Sequence, residues 1–116
     1  MPVLFYLHWN EQELLERITH LNDLDFEIHS HSSQRETPQW KERWPDIFVI
    51  SLEHLPSHGR EYAQWLRSAK KRNHIPLIFV DGQSDKVEQM KLIFPDAIFC
   101  SREELPEFLK KISGKL

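Results

Sequence analysis

A single cysteine, Cys100, leaves this chain without the partner an internal disulfide needs, and it suits a reducing compartment. Positive charge is not in excess either: 15 Lys and Arg stand against 18 Asp and Glu, a formal net charge of -3. That balance gives no electrostatic reason to expect binding to nucleic acid or to an anionic membrane. No apolar run approaches the roughly 20 residues that span a bilayer, and the start lacks a basic segment followed by a long apolar one. Neither a transmembrane helix nor a signal peptide is expected, which makes cytoplasm the default. Repeats, low-complexity tracts and interdomain linkers are missing too, so the 116 residues read as one domain, 1–116, long enough to bury a core.

What is present is an alternation of short apolar runs with helical spacing. Val3 to Leu7 reads as a buried strand. Asn10 and Glu13 then form a capping pair for a helix whose Leu14, Leu15, Ile18 and Leu21 share a face. Phe26 and Ile28 mark a weaker second strand, followed by a polar loop, His31 to Thr37, and a short helix that Pro38 can begin. On that helix Trp40 and Trp44, four apart, would share a face turned to the core. Ile47 to Ile50 is the third strand. Tyr62, Trp65, Leu66 and Ala69 recur at helical spacing after it, and Lys70, Lys71 and Arg72 crowd the negative end of that helix as a solvated cap. Pro76 to Val80 is the fourth strand, Ser84 a cap for a helix carrying Val87, Met90 and Ile93, and Ala97 to Cys100 a short fifth strand. Leu105, Phe108, Leu109 and Ile112 mark the last helix, with Pro106 tolerable only in its first turns. Strict strand-helix alternation predicts an α/β fold: one doubly wound, five-stranded parallel sheet covered on both faces, a three-layer sandwich.

The segment Pro45-Asp46-Ile47-Phe48-Val49-Ile50-Ser51, followed by Leu55-Pro56 and Gly59, resembles the third strand and following loop of response-regulator receiver domains. Ile75-Pro76-Leu77-Ile78 is similar to the entry of their fourth strand. This resemblance spans essentially the whole chain and implies the CheY-like, flavodoxin-like strand order 2-1-3-4-5. It also implies what is missing. Receivers carry an aspartate that accepts a phosphoryl group where this chain has Ser51, and an acidic pair for magnesium where it has His8 and Trp9. Asp81-Gly82 stands where the family usually has a hydroxyl residue followed by a small one, and Ser101 aligns with the phosphate-pairing lysine. A serine hydroxyl offers neither the charge nor the carboxylate geometry for an acyl phosphate, and magnesium prefers oxygen ligands.

The resemblance therefore implies a degenerate receiver, a pseudo-receiver that signals by binding protein without phosphoryl transfer. No enzymatic activity and no cofactor are expected. Its partner is another signalling protein or a second copy of the chain. In receivers the face formed by the fourth helix, fifth strand and last helix commonly meets partners, which implicates Met90, Phe94, Phe99, Phe108 and their polar neighbours here, some of them necessarily core. Trp9 is expected to plug the vacated ion pocket or to pack on the loop after the third strand. Ser51 is expected to hydrogen-bond backbone, and Asp81 to cap the turn that follows it.

A second reading comes from the histidines. His8, His54 and His58 follow the first and third strands, while Asp81 and Cys100 lie near the ends of the fourth and fifth, all toward one edge of the sheet. Imidazole, carboxylate and thiolate suit zinc or another borderline ion, hence a transition-metal sensor or a small hydrolase. Against it, the chain has no helical His-x-x-x-His pair and no Cys-x-x-Cys spacing.

Overall fold

The computed structural model describes residues 2–32, 44–53 and 56–114, with no side-chain description for 56–58. The expected helix at Pro38 with Trp40, and His54, lie outside the described residues, as does the side chain of His58. The elements are β1 (Val3–Leu7), α1 (Glu11–Thr19), β2 (Glu27–His31), β3 (Ile47–Ser51), α2 (Pro56–Arg67), β4 (Leu77–Val80), α3 (Ser84–Ile93), β5 (Ile98–Cys100) and α4 (Leu105–Ser113).

All strand pairs are parallel, in the order β2-β1-β3-β4-β5. Every residue of β1, β3 and β4 is buried. A parallel sheet covered on both faces requires such strands, which explains their uninterrupted apolar runs. Successive residues point to opposite faces. Phe5, Leu7, Phe48, Ile50 and Phe79 pack with Ala63 and Leu66 of α2 and Met90 and Phe94 near α3. Leu4, Tyr6, Ile47, Val49 and Val80 pack on the other side with Leu14 of α1 and Leu105 and Leu109 of α4. The Pro45-Asp46 turn has a direct role: Val3 N donates to Asp46 Oδ2 at 2.7 Å, and Asp46 N donates to Val3 O at 2.8 Å, which pins β1 beside β3.

Several local expectations need correction. Leu15 is exposed, and the inward face of α1 instead runs through Leu14 and Arg17 to Leu21 beyond the helix. Ser84 is the first residue of α3 and Gln83 its cap. Trp44 precedes β3 without helical structure and packs edge-on against Trp65 at 5.6 Å. The Arg72 guanidinium lies 4.1 Å from the Trp65 ring centre, while its Nε donates to Trp65 O at 2.7 Å, serving the carbonyl end of α2. Gly59 lets α2 approach the sheet, since a Cβ there would stand 2.8 Å from Ile50 Cγ2. Among the described residues, no helix is long and apolar enough to cross a membrane.

Candidate functional site

The carboxyl ends of β1, β3, β4 and β5 bring His8-Trp9, Ser51, Asp81-Gly82 and Ser101 to one edge of the sheet, the place where open α/β sheets build sites. His8 is buried at 1% exposure. Its Nδ1 accepts a hydrogen bond from Asn10 N at 3.1 Å, and its Nε2 lies 3.4 Å from Glu13 Oε2. Asn10 Oδ1 in turn accepts from Glu13 N at 3.0 Å, the expected helix cap. The usual reciprocal half of a capping box is absent because the imidazole of His8 serves the Asn10 amide in place of the Glu13 carboxylate.

Trp9 turns away from this edge into the core, where its ring meets Tyr62 of α2 at 5.9 Å. Ser51, 1% exposed, accepts from Glu53 N at 3.2 Å, a backbone contact in a tight loop as expected. Asp81 does not cap its own turn. At φ 58° it sends Oδ1 across to accept from Arg102 N at 3.1 Å, and so ties the end of β4 to the loop after β5. Gly82, at φ 100°, lies against Leu52, whose Cβ would be 2.6 Å from any Cβ added there. Ser101 forms a reciprocal pair with Glu104: Ser101 Oγ accepts from Glu104 N at 3.2 Å, and Ser101 N donates to Glu104 Oε1 at 3.0 Å. This position is thus engaged in leading the chain into α4.

Further charged groups share the site. Glu53 follows Ser51 by two residues and hydrogen-bonds with Asp81. Burial, that hydrogen bond and the negative charges of Asp81 and Glu13 push its carboxyl above the ordinary range, against the pull of Arg17. Arg17 Nη2 lies 3.8 Å from Glu53 Oε1. Glu53, Asp81, Gly82, Lys86 and Arg102 border an open cleft of about 640 Å³.

Neither metal fits this arrangement well. His8, Glu13 and Glu53 place ligand atoms within 4.8 Å of one another. However, an Nδ1 that accepts from backbone leaves the proton of neutral His8 on Nε2, so the edge turned to Glu13 is a donor and not a lone pair. A magnesium ion would find that donor, a carboxyl that burial favours in its neutral form, and a guanidinium beside it. Of the other zinc candidates, Cys100 is half-buried with its thiol pushed up to about 12, mainly by burial and then by Glu104 and Asp81, so it stays protonated. Asp81 is engaged with Arg102 N and Glu53.

On the suggested partner face, Met90 and Phe94 are core residues, 4% exposed each, and cannot meet a partner. Phe99 and Phe108 are half-buried, with Lys91 and Lys111 over their rings. Leu92 of α3, not singled out from sequence, is exposed, and so is Ile93, which was expected on that helix's apolar face with Val87 and Met90. Arg17 was also missed, although its i+3 spacing from Leu14 placed it on the buried stripe. The Ser-x-x-Glu pattern at 101–104 was a legible capping signal.

No protein-family model matches the chain, and no curated protein matches it. Among solved structures it is similar to the bacteriophytochrome response regulator AtBRR, with a TM-score of 0.75 and 16% identity over 97% of this chain and 91% of that one. It is also similar to the bacteriophytochrome response regulator RtBRR, with a TM-score of 0.67 and 15% identity over 85% of this chain and 68% of that one. With the strand order 2-1-3-4-5, these likenesses establish that the chain has the CheY-like, flavodoxin-like receiver fold.

Proposed function

We propose that this protein is a pseudo-receiver, a phosphorylation-independent signalling module that acts by binding another protein. One observation carries the reading: Ser51 occupies the end of β3, buried, with its oxygen accepting from Glu53 N. A phosphoryl group arriving there would meet a hydroxyl where the end of β3 would need a carboxylate, and the neighbouring carboxyls of Glu53 and Asp81 would repel it with no lysine at Ser101. AtBRR and RtBRR are response regulators, which supports a signalling role. Partner contact falls to the α3-β5-α4 face, through Leu92, Ile93, Phe99 and Phe108, in a reducing, cytoplasmic setting. Incubation with acetyl phosphate and magnesium, followed by intact-mass measurement, tests the reading. No added phosphoryl mass is expected, and a mass increase reversed by hydroxylamine would refute it.

The grouping of His8, Glu13 and Glu53 favours a second reading, a transition-ion site. It requires His8 to release its bond from Asn10 N or to surrender the Nε2 proton. Stoichiometric zinc retained by untagged protein, and lost in His8→Ala, would favour this reading over the first.

A further inference from the structure

Between α1 and α4 lies a second groove of about 620 Å³, bordered by Tyr6, Arg17, His20 and Arg102 and separated from the cleft over Glu53 and Asp81 except at Arg102. Its inner wall carries two buried donors that lack an acceptor. Tyr6 is fully buried, and its hydroxyl has no hydrogen-bond partner among the described residues. Arg17 is 9% exposed, and its Nε–H has no partner among them either. Among the described residues, the other end of that guanidinium reaches only Glu53, at the long distance of 3.8 Å.

Unpaired donors are unfavourable in a folded interior, so two of them beside one groove mark a place for an acceptor. A water molecule could accept from both, yet it would add no negative charge to the Glu53 carboxyl that stands 3.8 Å from the buried guanidinium. An oxyanion supplies the acceptor oxygens and the charge together, in the planar geometry that guanidinium favours. Burial holds the Tyr6 hydroxyl well above the ordinary phenol range despite Arg17, so it remains a donor at any physiological pH.

Arg102 adds a cation at the rim beside the His20 imidazole, while Glu16 and Glu103 oppose it. Glu103 is paired with Arg102 at 3.2 Å, and both carboxylates are exposed, so solvent screens them far more than it screens Arg17. We propose that this groove binds the carboxylate or phosphoryl group of a small-molecule ligand, held by the Tyr6 hydroxyl and the Arg17 guanidinium with Arg102 at its rim.

The test is titration of inorganic phosphate and of malonate at constant ionic strength, followed by amide chemical shifts in the wild type, Tyr6→Phe and Arg102→Gln. Tyr6→Phe keeps the ring in the core, and Arg102 is exposed, so both variants should fold. At least one anion should give saturable shifts around Tyr6, Arg17 and Arg102, with affinity falling about tenfold in Tyr6→Phe. A parallel loss in Arg102→Gln supports the rim contact, and a loss in Tyr6→Phe alone supports the site without it. The absence of a saturable response to either anion overturns the proposal. So does a response that Tyr6→Phe leaves unchanged, since the anion would then sit on the exposed surface.

Discussion

His8 and Asn10 are joined at the exit of β1 by a hydrogen bond from the Asn10 amide to the buried Nδ1, 3.1 Å long. Asn10 also caps α1 through Glu13 N, so the imidazole holds the residue that starts the helix. The exit of β1 thus carries a structural fastening. Asn10→Ala should destabilise the fold by about 1 kcal/mol, the usual value of a lost cap. His8→Leu should cost about 1–3 kcal/mol because it strands a donor in a part-buried junction. Urea melts of both variants and of the double variant check this, and the double variant should lose less than the sum.

Trp9 is buried against Tyr62 and belongs to the core beneath α2. Trp9→Ala should destabilise by about 3–5 kcal/mol, transfer and cavity terms together. Denaturant midpoints decide. An indole used only for partner contact would leave the midpoint nearly unchanged.

Glu53 makes stability depend on acidity in a stated direction. Burial, the hydrogen bond to Asp81 and the neighbouring negative charges raise its folded pKa above the unfolded value. Its contribution is therefore fully present below the unfolded pKa and is lost as pH rises through the folded one. Glu53→Gln should remove this loss and flatten the pH dependence across that window. Thermal melts from acid to neutral pH in the wild type and the variant check it. A steeper fall in stability for the variant would show that the ion pair with Arg17 dominates instead.

How much of this was legible in the sequence follows from which forces set each residue's place. The apolar runs at Val3, Ile47 and Leu77 encode a buried parallel sheet directly, and the Pro45-Asp46 signal encodes a turn that the Asp46 carboxylate completes. The candidate site was legible as an edge but not as a set of contacts. Asp81 bonds a residue 21 positions away, and Glu53 meets Arg17 from another element, pairings that only the folded sheet creates. Arg17 takes a place on the buried stripe of α1 because a long guanidinium can enter it when a carboxylate awaits it, whereas hydropathy alone turns it outward. Family likeness implicates Met90 and Phe94 in a partner face of which some residues must be core, and it does not say which; burial in the fold assigns these two to the core.

The central claim is that the edge formed by Ser51, Asp81 and Ser101 cannot take up a phosphoryl group and so cannot be switched by one. Its most direct test is an amide spectrum recorded with and without magnesium and beryllium fluoride, a mimic of the acyl phosphate. The account predicts one set of resonances, with no saturable shifts at Ser51 to Glu53, at Asp81 and Gly82, or at Ser101. A second, saturable set of shifts at those positions, spreading into β4 and β5, would contradict it.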